Sequence, residues 1–295
     1  MKYKLCMILA AGLLMACSSD DDITTPKEEK PVVNTELRPI YVEVSERPMV
    51  VDGQEAKERG METRATETTT GSLTGFDMHG VYGGSINNYS ASKSDETWTV
   101  TPDIGIWPSD KSVPVSFYAH TRGSFYKDGV NIYVNFTVPE DAFNQFDLLV
   151  AKANVSWNDH SGTVPLTFDH ACAAVAFNIQ KKSELGGKLT VHSVVLKKVY
   201  KNGKYNYSTG WYDVQTQTDF TMTNGDIEVT TDLQALPANE LFMIPQTCTA
   251  DTKLDITYTY SGQTKSTATI PLGGIPWQAG YRYTYNIVLG TGLIK

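Results

Sequence analysis

The sequence predicts an all-β fold built as sandwiches or barrels, on three observations. Apolar and polar residues alternate in many short runs, the period of a half-buried strand. Turn-forming residues separate these runs at close intervals. No window of a dozen residues carries a 3.6 period strong enough for a long helix, which sets the α/β classes aside. Hydrophobic residues make up 41% of the 295 and aromatics 11%, enough for a packed core, and the length allows two domains.

The elements follow in chain order. Lys2 and Lys4 form a positive n-region ahead of the apolar run Leu5–Ala16. Twelve apolar residues are too few to span roughly 30 Å of hydrocarbon, so residues 1–16 read as a signal peptide. It ends in "LMAC", which resembles a bacterial lipobox. That resemblance implies cleavage before Cys17 and a diacylglycerol on its thiol, the other reading being an ordinary signal peptide with an incidental cysteine. The acidic run Ser18–Asp22 reads as a solvated tether and is also similar to the surface-export signal of Bacteroidetes lipoproteins. Residues 17–37 are polar with two prolines, a lipidated flexible tether.

A first strand is expected over about 38–51, where Ile40, Val42 and Val44 alternate with Tyr41, Glu43 and Ser45. Pro48 ends this ladder or marks an edge. Residues 52–75 revert to loop composition and contain "METRATETTTG", where Arg64 stands among threonines and glutamates with almost nothing to bury. Such a stretch is exposed to proteases. From Phe76 onward strand-like runs succeed one another to "YRYTYNIVLG". Asp128-Gly129, Asn202-Gly203 and Asn224-Gly225 are turn signals, two of them joining strand-like runs as hairpin connections. "LDITYTYSGQTKSTATI" reads as a hairpin with Leu254, Ile256, Tyr258 and Tyr260 on one face. A boundary near residue 163, in the polar "NDHSGT", divides the chain into an N-terminal β-domain (38–162) and a C-terminal one (163–295).

The charge is −8 with no lysine or arginine cluster longer than two, which argues against a nucleic-acid partner. The five histidines are scattered, with no HExxH and no partner at metal-ligand spacing. Asp159, His160 and Ser161 are adjacent, and adjacent residues cannot converge as nucleophile, base and orienter. His170 reads as a hydrogen-bonded histidine of a β-core. No catalytic residue, metal site or cofactor is therefore assigned, and the chain reads as a non-enzyme. The five tryptophans sit in or beside alternating runs and read as core or strand-rim residues rather than sugar-stacking platforms. Cys172 and Cys248 fit a disulfide or two buried thiols equally well.

Several landmarks in order carry a resemblance over nearly all of the chain beyond the signal peptide. After the lipobox and the first β-run come "TRAT" and "HGVYGG", then "DLLVAKA" (Asp147–Ala153) and "VPLTFDHACAAVAFNI" (Val164–Ile179). "LFMIPQ" (Leu241–Gln246) and "WQAGYRYTYNIVL" (Trp277–Leu289) follow. In that order they resemble the fimbrillin family of Bacteroidetes, subunits of type V pili and related surface proteins. The resemblance implies two tandem transthyretin-like β-sandwich domains in an outer-membrane lipoprotein anchored through Cys17. It implies an arginine-specific protease cutting between Arg64 and Ala65, with Arg47 and Arg59 as competing sites. The released strand would carry Ile40, Val42 and Val44, and the vacated groove would accept a strand from another pilin subunit. Such subunits need a donor strand, so the last run is either the donor or this chain accepts a strand and gives none. The other expected function is a monomeric surface lipoprotein acting as an adhesin or glycan-binding module.

Overall fold

The computed structural model describes residues 34–51, 73–238 and 240–291. Along the first stretch run β1 (Thr35–Pro39), β2 (Tyr41–Glu46) and β3 (Val50–Val51), so the run expected as one strand is divided into three. Next come β4 (Gly75–Tyr82), β5 (Ser85–Ser94), β6 (Thr97–Thr101), β7 (Ile104–Pro108), β8 (Val115–His120), β9 (Ser124–Asp128), β10 (Asn131–Thr137) and β11 (Leu149–Val155). A single helical turn, α1 (Trp157–His160), precedes β12 (Thr163–His170). Then follow β13 (Ala173–Lys181), the long β14 (Leu189–Asn206), β15 (Gly210–Thr221), β16 (Ile227–Glu228), β17 (Gln234–Ala235) and β18 (Leu241–Met243). The last elements are β19 (Gln246–Thr247), β20 (Lys253–Tyr260), β21 (Ser266–Pro271), β22 (Pro276–Trp277) and β23 (Tyr281–Leu289). The protein is nearly all β, as the alternation predicts.

Two hydrophobic clusters organise these strands. The first lies against a sheet ordered β2-β12-β11-β8-β4-β5-β6, with the β1-β7 ribbon beside it, and buries Trp107, Phe117, Leu166 and Phe168. The second lies between a sheet ordered β21-β20-β14-β10-β9, to which β15 and β16 add on β14, and one ordered β17-β13-β23-β3. It buries Phe177, Leu196, Phe220, Ile256 and Trp277. The inward faces follow from period two: Val164, Leu166 and Phe168 point inward from β12, and Leu254, Ile256 and Tyr258 from β20. Trp98, Trp157 and Trp211 are half-buried against the same clusters.

The chain passes from the first sheet to the second at Ala171–Cys172, between β12 and β13. The continuous apolar character of Ala171–Val175 follows, because these residues are all buried while the chain changes partners. Trp211 fastens the crossover by donating its indole N–H to Ala171 O at 2.6 Å. Tyr207, in the β14–β15 connection, ties that sheet to the first by donating its hydroxyl to Ala119 O on β8 at 3.0 Å. Cys172 and Cys248 are present as buried thiols.

Two of the turn signals behave differently. Asp128-Gly129 closes the β9–β10 hairpin with Gly129 at φ 58°. Asn202-Gly203 makes no turn but lies inside β14. There β15 bulges: Asn202 pairs Gln215 and Lys204 pairs Tyr212, leaving two residues opposite Gly203. A Cβ on Gly203 would stand 3.2 Å from both Trp211 and Val214, so this glycine serves packing. The predicted hairpin after β20 does form, with Ser261 and Gly262 both at positive φ.

β14 is central to its sheet, and Leu196 on it is fully buried beside Phe220 and Leu254. Leu196→Ala is expected to lower unfolding free energy by about 2–5 kcal/mol in urea titrations. A loss below about 1 kcal/mol would show that this strand does not carry the second core.

Candidate functional site

The N-terminal stretch 34–51 is held by both sheet systems. β1 runs antiparallel to β7, with Arg38 opposite Gly105. Arg38 is 8% exposed and donates to Pro108 O at 3.0 Å and Ser109 O at 3.4 Å, while pairing Glu36 at 2.6 Å. Its guanidinium also lies 5.2 Å from the Trp157 ring. A buried arginine is tolerated only when its donors are filled in this way.

Ile40 then drops into the first core at 2% exposure. The approach needs Gly105, where a Cβ would stand 3.2 Å from Ile40 Cβ and 2.9 Å from the Trp107 indole nitrogen. It also needs Gly162, at φ 90°, where a Cβ would stand 2.6 Å from Pro39 O. β2 continues parallel to β12, from Tyr41 opposite Thr163 to Glu46 opposite Phe168. Val42 and Val44 are half-buried against the first core, and Tyr41, Glu43 and Ser45 face out. Ile40, Val42 and Val44 thus share the inward side. Beyond Pro48, Met49 is 4% exposed and β3 adds parallel to β23, with Val50 N–H donating to Gly280 O at 2.8 Å. One short segment therefore covers an edge of β12 and an edge of β23. Burial of Ile40 and Met49 contributes about 1.5–3 kcal/mol each.

The end of β2 meets charges at the crossover. Arg47 donates its backbone N–H to Phe168 O at 2.9 Å and pairs Asp169 at 2.6 Å. His170 Nδ1 bonds Asp147 Oδ2 at 2.5 Å, and its Nε2 lies 3.4 Å from Glu46 Oε1. Asp147 Oδ1 accepts the Cys172 N–H at 3.2 Å, and Arg282 pairs Glu240 at 2.9 Å nearby. Burial by itself would lower the His170 pKa. The hydrogen bond and charge of Asp147, with the charge of Glu46, outweigh it and raise the pKa above the ordinary histidine value. Burial also pushes the Cys172 thiol well up, so this thiol stays protonated.

A second histidine pair was not visible in the sequence. His79 on β4 and His120 on β8 bring their Nε2 atoms to 3.0 Å and stack with Phe125. His120 donates from Nδ1 to Arg122 O at 2.9 Å, since a carbonyl only accepts, and His79 donates from Nδ1 to Asn88 Oδ1 at 2.8 Å for the same reason. Burial lowers both pKa values, with the His79 charge adding to the effect on His120. The only signal in the sequence is that β4 and β8 are strand-like; their pairing is a property of the fold. Among the described residues no three His, Cys, Asp or Glu side chains stand together as a metal site. Ser156 caps α1, its Oγ accepting the Asp159 N–H at 3.3 Å and donating to Asp159 Oδ2 at 2.5 Å, and His160 is exposed. Cys17, Arg64, Ala65 and Arg59 lie outside the described residues.

The molecule is nearly all β, and its N-terminal segment pairs with an edge of β12 and with the start of β23. The fimbrillin-like family model matches residues 61–295, and the chain belongs to that family. By family it is a fimbrial or adhesion-related surface protein. None of the curated proteins matches the chain. A fimbrial protein from Bacteroides vulgatus shares its fold at TM-score 0.60 and 16% identity, over 88% of this chain and 96% of that one. A candidate cell adhesion protein from Bacteroides uniformis superposes at TM-score 0.51 and 16% identity, over 84% and 94%.

The His170–Glu46 contact makes the hold on β2 depend on pH. The folded pKa of His170 is raised, so its contribution is complete below about 6.5, the ordinary value, and is lost as pH rises through the folded pKa. The wild-type protein is therefore expected to melt higher than Glu46→Gln in mildly acidic buffer, with the gap closing as pH rises through the folded pKa of His170. A gap that is constant or widens with pH, measured by thermal melts of both proteins, would refute this linkage.

Proposed function

We propose that this chain is a pilus subunit exported as a lipoprotein on Cys17 and carried on the outer face of the outer membrane. An arginine-specific protease then cuts between Arg64 and Ala65, and the subunit assembles by exchanging its N-terminal segment for a strand of another subunit. The observation that carries the reading is the double coverage of sheet edges by residues 34–51, on β12 and on β23. Removal of that segment bares two rows of N–H and C=O groups and the seats of Ile40 and Met49. Another strand regains hydrogen bonds at about 0.5–1.5 kcal/mol each, plus the apolar burial.

Three further observations support it. The family match begins at residue 61, three before Arg64, and leaves the segment outside. Arg47, one of the two competing cut sites, has its backbone N–H bonded to Phe168 O, which holds that peptide in the ladder and disfavours its cleavage. The two hydrophobic cores fit the reading as two transthyretin-like sandwich domains. β23 is bonded along eight residues to β13 and at Tyr281 and Arg282 to β3, with Tyr283, Tyr285, Ile287 and Leu289 buried. A strand so deeply built in supports this chain as an acceptor rather than a donor, the role of a tip subunit.

The test is to treat the full precursor with an arginine-specific protease and follow its N-terminus and its oligomeric state. A new N-terminus at Ala65, departure of residues 34–51 and denaturant-resistant oligomers on mixing with cognate subunits are expected, and Arg64→Ala should abolish all three. Cleavage at Arg64 that leaves the segment seated and the protein monomeric would refute strand exchange and favour a monomeric surface adhesin.

A further inference from the structure

The sheet face formed by β9, β10, β14 and β15 carries tyrosines and amides where a solvated face ordinarily carries charges. Tyr126 and Tyr133 are cross-strand partners with ring centroids 5.5 Å apart. Tyr133 meets Tyr212 edge-on at 6.0 Å. The outer two rings remain open to solvent, Tyr126 at 45% and Tyr212 at 38%.

Beside the rings is a slot of about 300 Å³, lined by Asn135, Asn202 and Gln215 among others. The β15 bulge opposite Gly203 lies at its wall and holds Asp213 at φ 51°. Lys204 ties slot to rings: its ammonium lies 5.8 Å from the Tyr133 centroid and 5.9 Å from that of Tyr212, and it pairs Asp213 at 2.7 Å. These two are the charges lining the slot, and they neutralise each other. The Oδ1 atoms of both Asn135 and Asn202 are buried without a hydrogen-bond partner. Buried polar atoms are nearly always paired, so two orphans in one slot mark a place where donors from outside belong.

We propose that this face binds a neutral carbohydrate. A pyranose offers an apolar C–H face that packs on a phenol ring, and a rim of hydroxyls that donate to amide oxygens. Rings and orphan amides side by side match both halves of that chemistry. An ionic ligand would have to break the Lys204–Asp213 pair to gain a counter-charge. The site goes beyond the pilus reading and is independent of it, since it involves no residue of the segment 34–51.

The test is binding of the full chain to an array of neutral hexose and N-acetylhexosamine oligosaccharides, comparing wild type with Tyr126→Ala and Asn202→Ser. The wild-type protein should bind at least one of them, and each substitution should weaken that binding about tenfold. Tyr126 lies on the edge strand β9, so its truncation leaves the core intact, and an unchanged melting temperature confirms this. If Asn202→Ser melts lower, Tyr126→Ala decides alone. Absence of binding to every neutral oligosaccharide, binding confined to charged ones, or binding that both variants retain in full would each overturn the site. Protease-triggered oligomers in the same variants report on strand exchange separately, so one reading can fail without the other.

Discussion

An uncovered sheet edge is the constraint on which this molecule turns. Residues 34–51 supply β12 with a neighbour along Thr163–Phe168 and pair with β23 at its first two residues, Tyr281 and Arg282. The segment does more than complete two ladders. It seats Ile40 in the first core, fills Met49, and buries Arg38 among carbonyls and the Trp157 ring. Gly105 and Gly162 are glycines because the segment passes too close for a side chain at either. The body of the molecule is thus shaped around a piece of chain that makes few contacts with its own neighbours in sequence.

The second constraint is electrostatic and lies where the chain changes sheets. β12 ends at His170, and the crossover at Ala171–Cys172 leads into β13. Asp147 bridges the step, holding the His170 ring with one oxygen and the Cys172 N–H with the other. Glu46 approaches the same imidazole from β2. One imidazole faces two carboxylates, which raise its pKa, and the segment's end is registered against the junction between the cores. The docking of the segment and the junction of the sheets share a single ionisable group.

Much of this was legible in the sequence, and the rest was not for definite reasons. Alternation in "LDITYTY" placed Leu254, Ile256 and Tyr258 on one inward face, because burial on one side imposes period two. The inward set Ile40, Val42 and Val44 was legible for the same reason. Asn202-Gly203 carried the chemistry of a turn and was overruled by a bulge packed against Trp211, a contact that local propensity cannot register. The division of residues 38–51 into β1, β2 and β3 was hidden because the three strands have three different partners, all distant in sequence. The meeting of His79 with His120 and of Tyr133 with Tyr212 is of this kind too. Strand pairing joins residues that no spacing rule connects.

The placement of the two proposed activities follows from sheet geometry. Strand exchange at β12 and β23 acts in the hydrogen-bonding plane, along sheet edges. The tyrosine–amide surface acts perpendicular to that plane, on the face of β9, β10, β14 and β15, and none of those strands pairs with the N-terminal segment. An edge can therefore change partners while a face keeps its ligand, because exchange at β12 and β23 replaces no strand of that face. The bulge serves this separation. It breaks the β14–β15 ladder where a slot is needed and leaves Leu196 and Phe220 packed on the opposite side of the same two strands. On the two proposals together, the chain would hold a neighbouring subunit by backbone hydrogen bonds and a sugar by side chains at the same time.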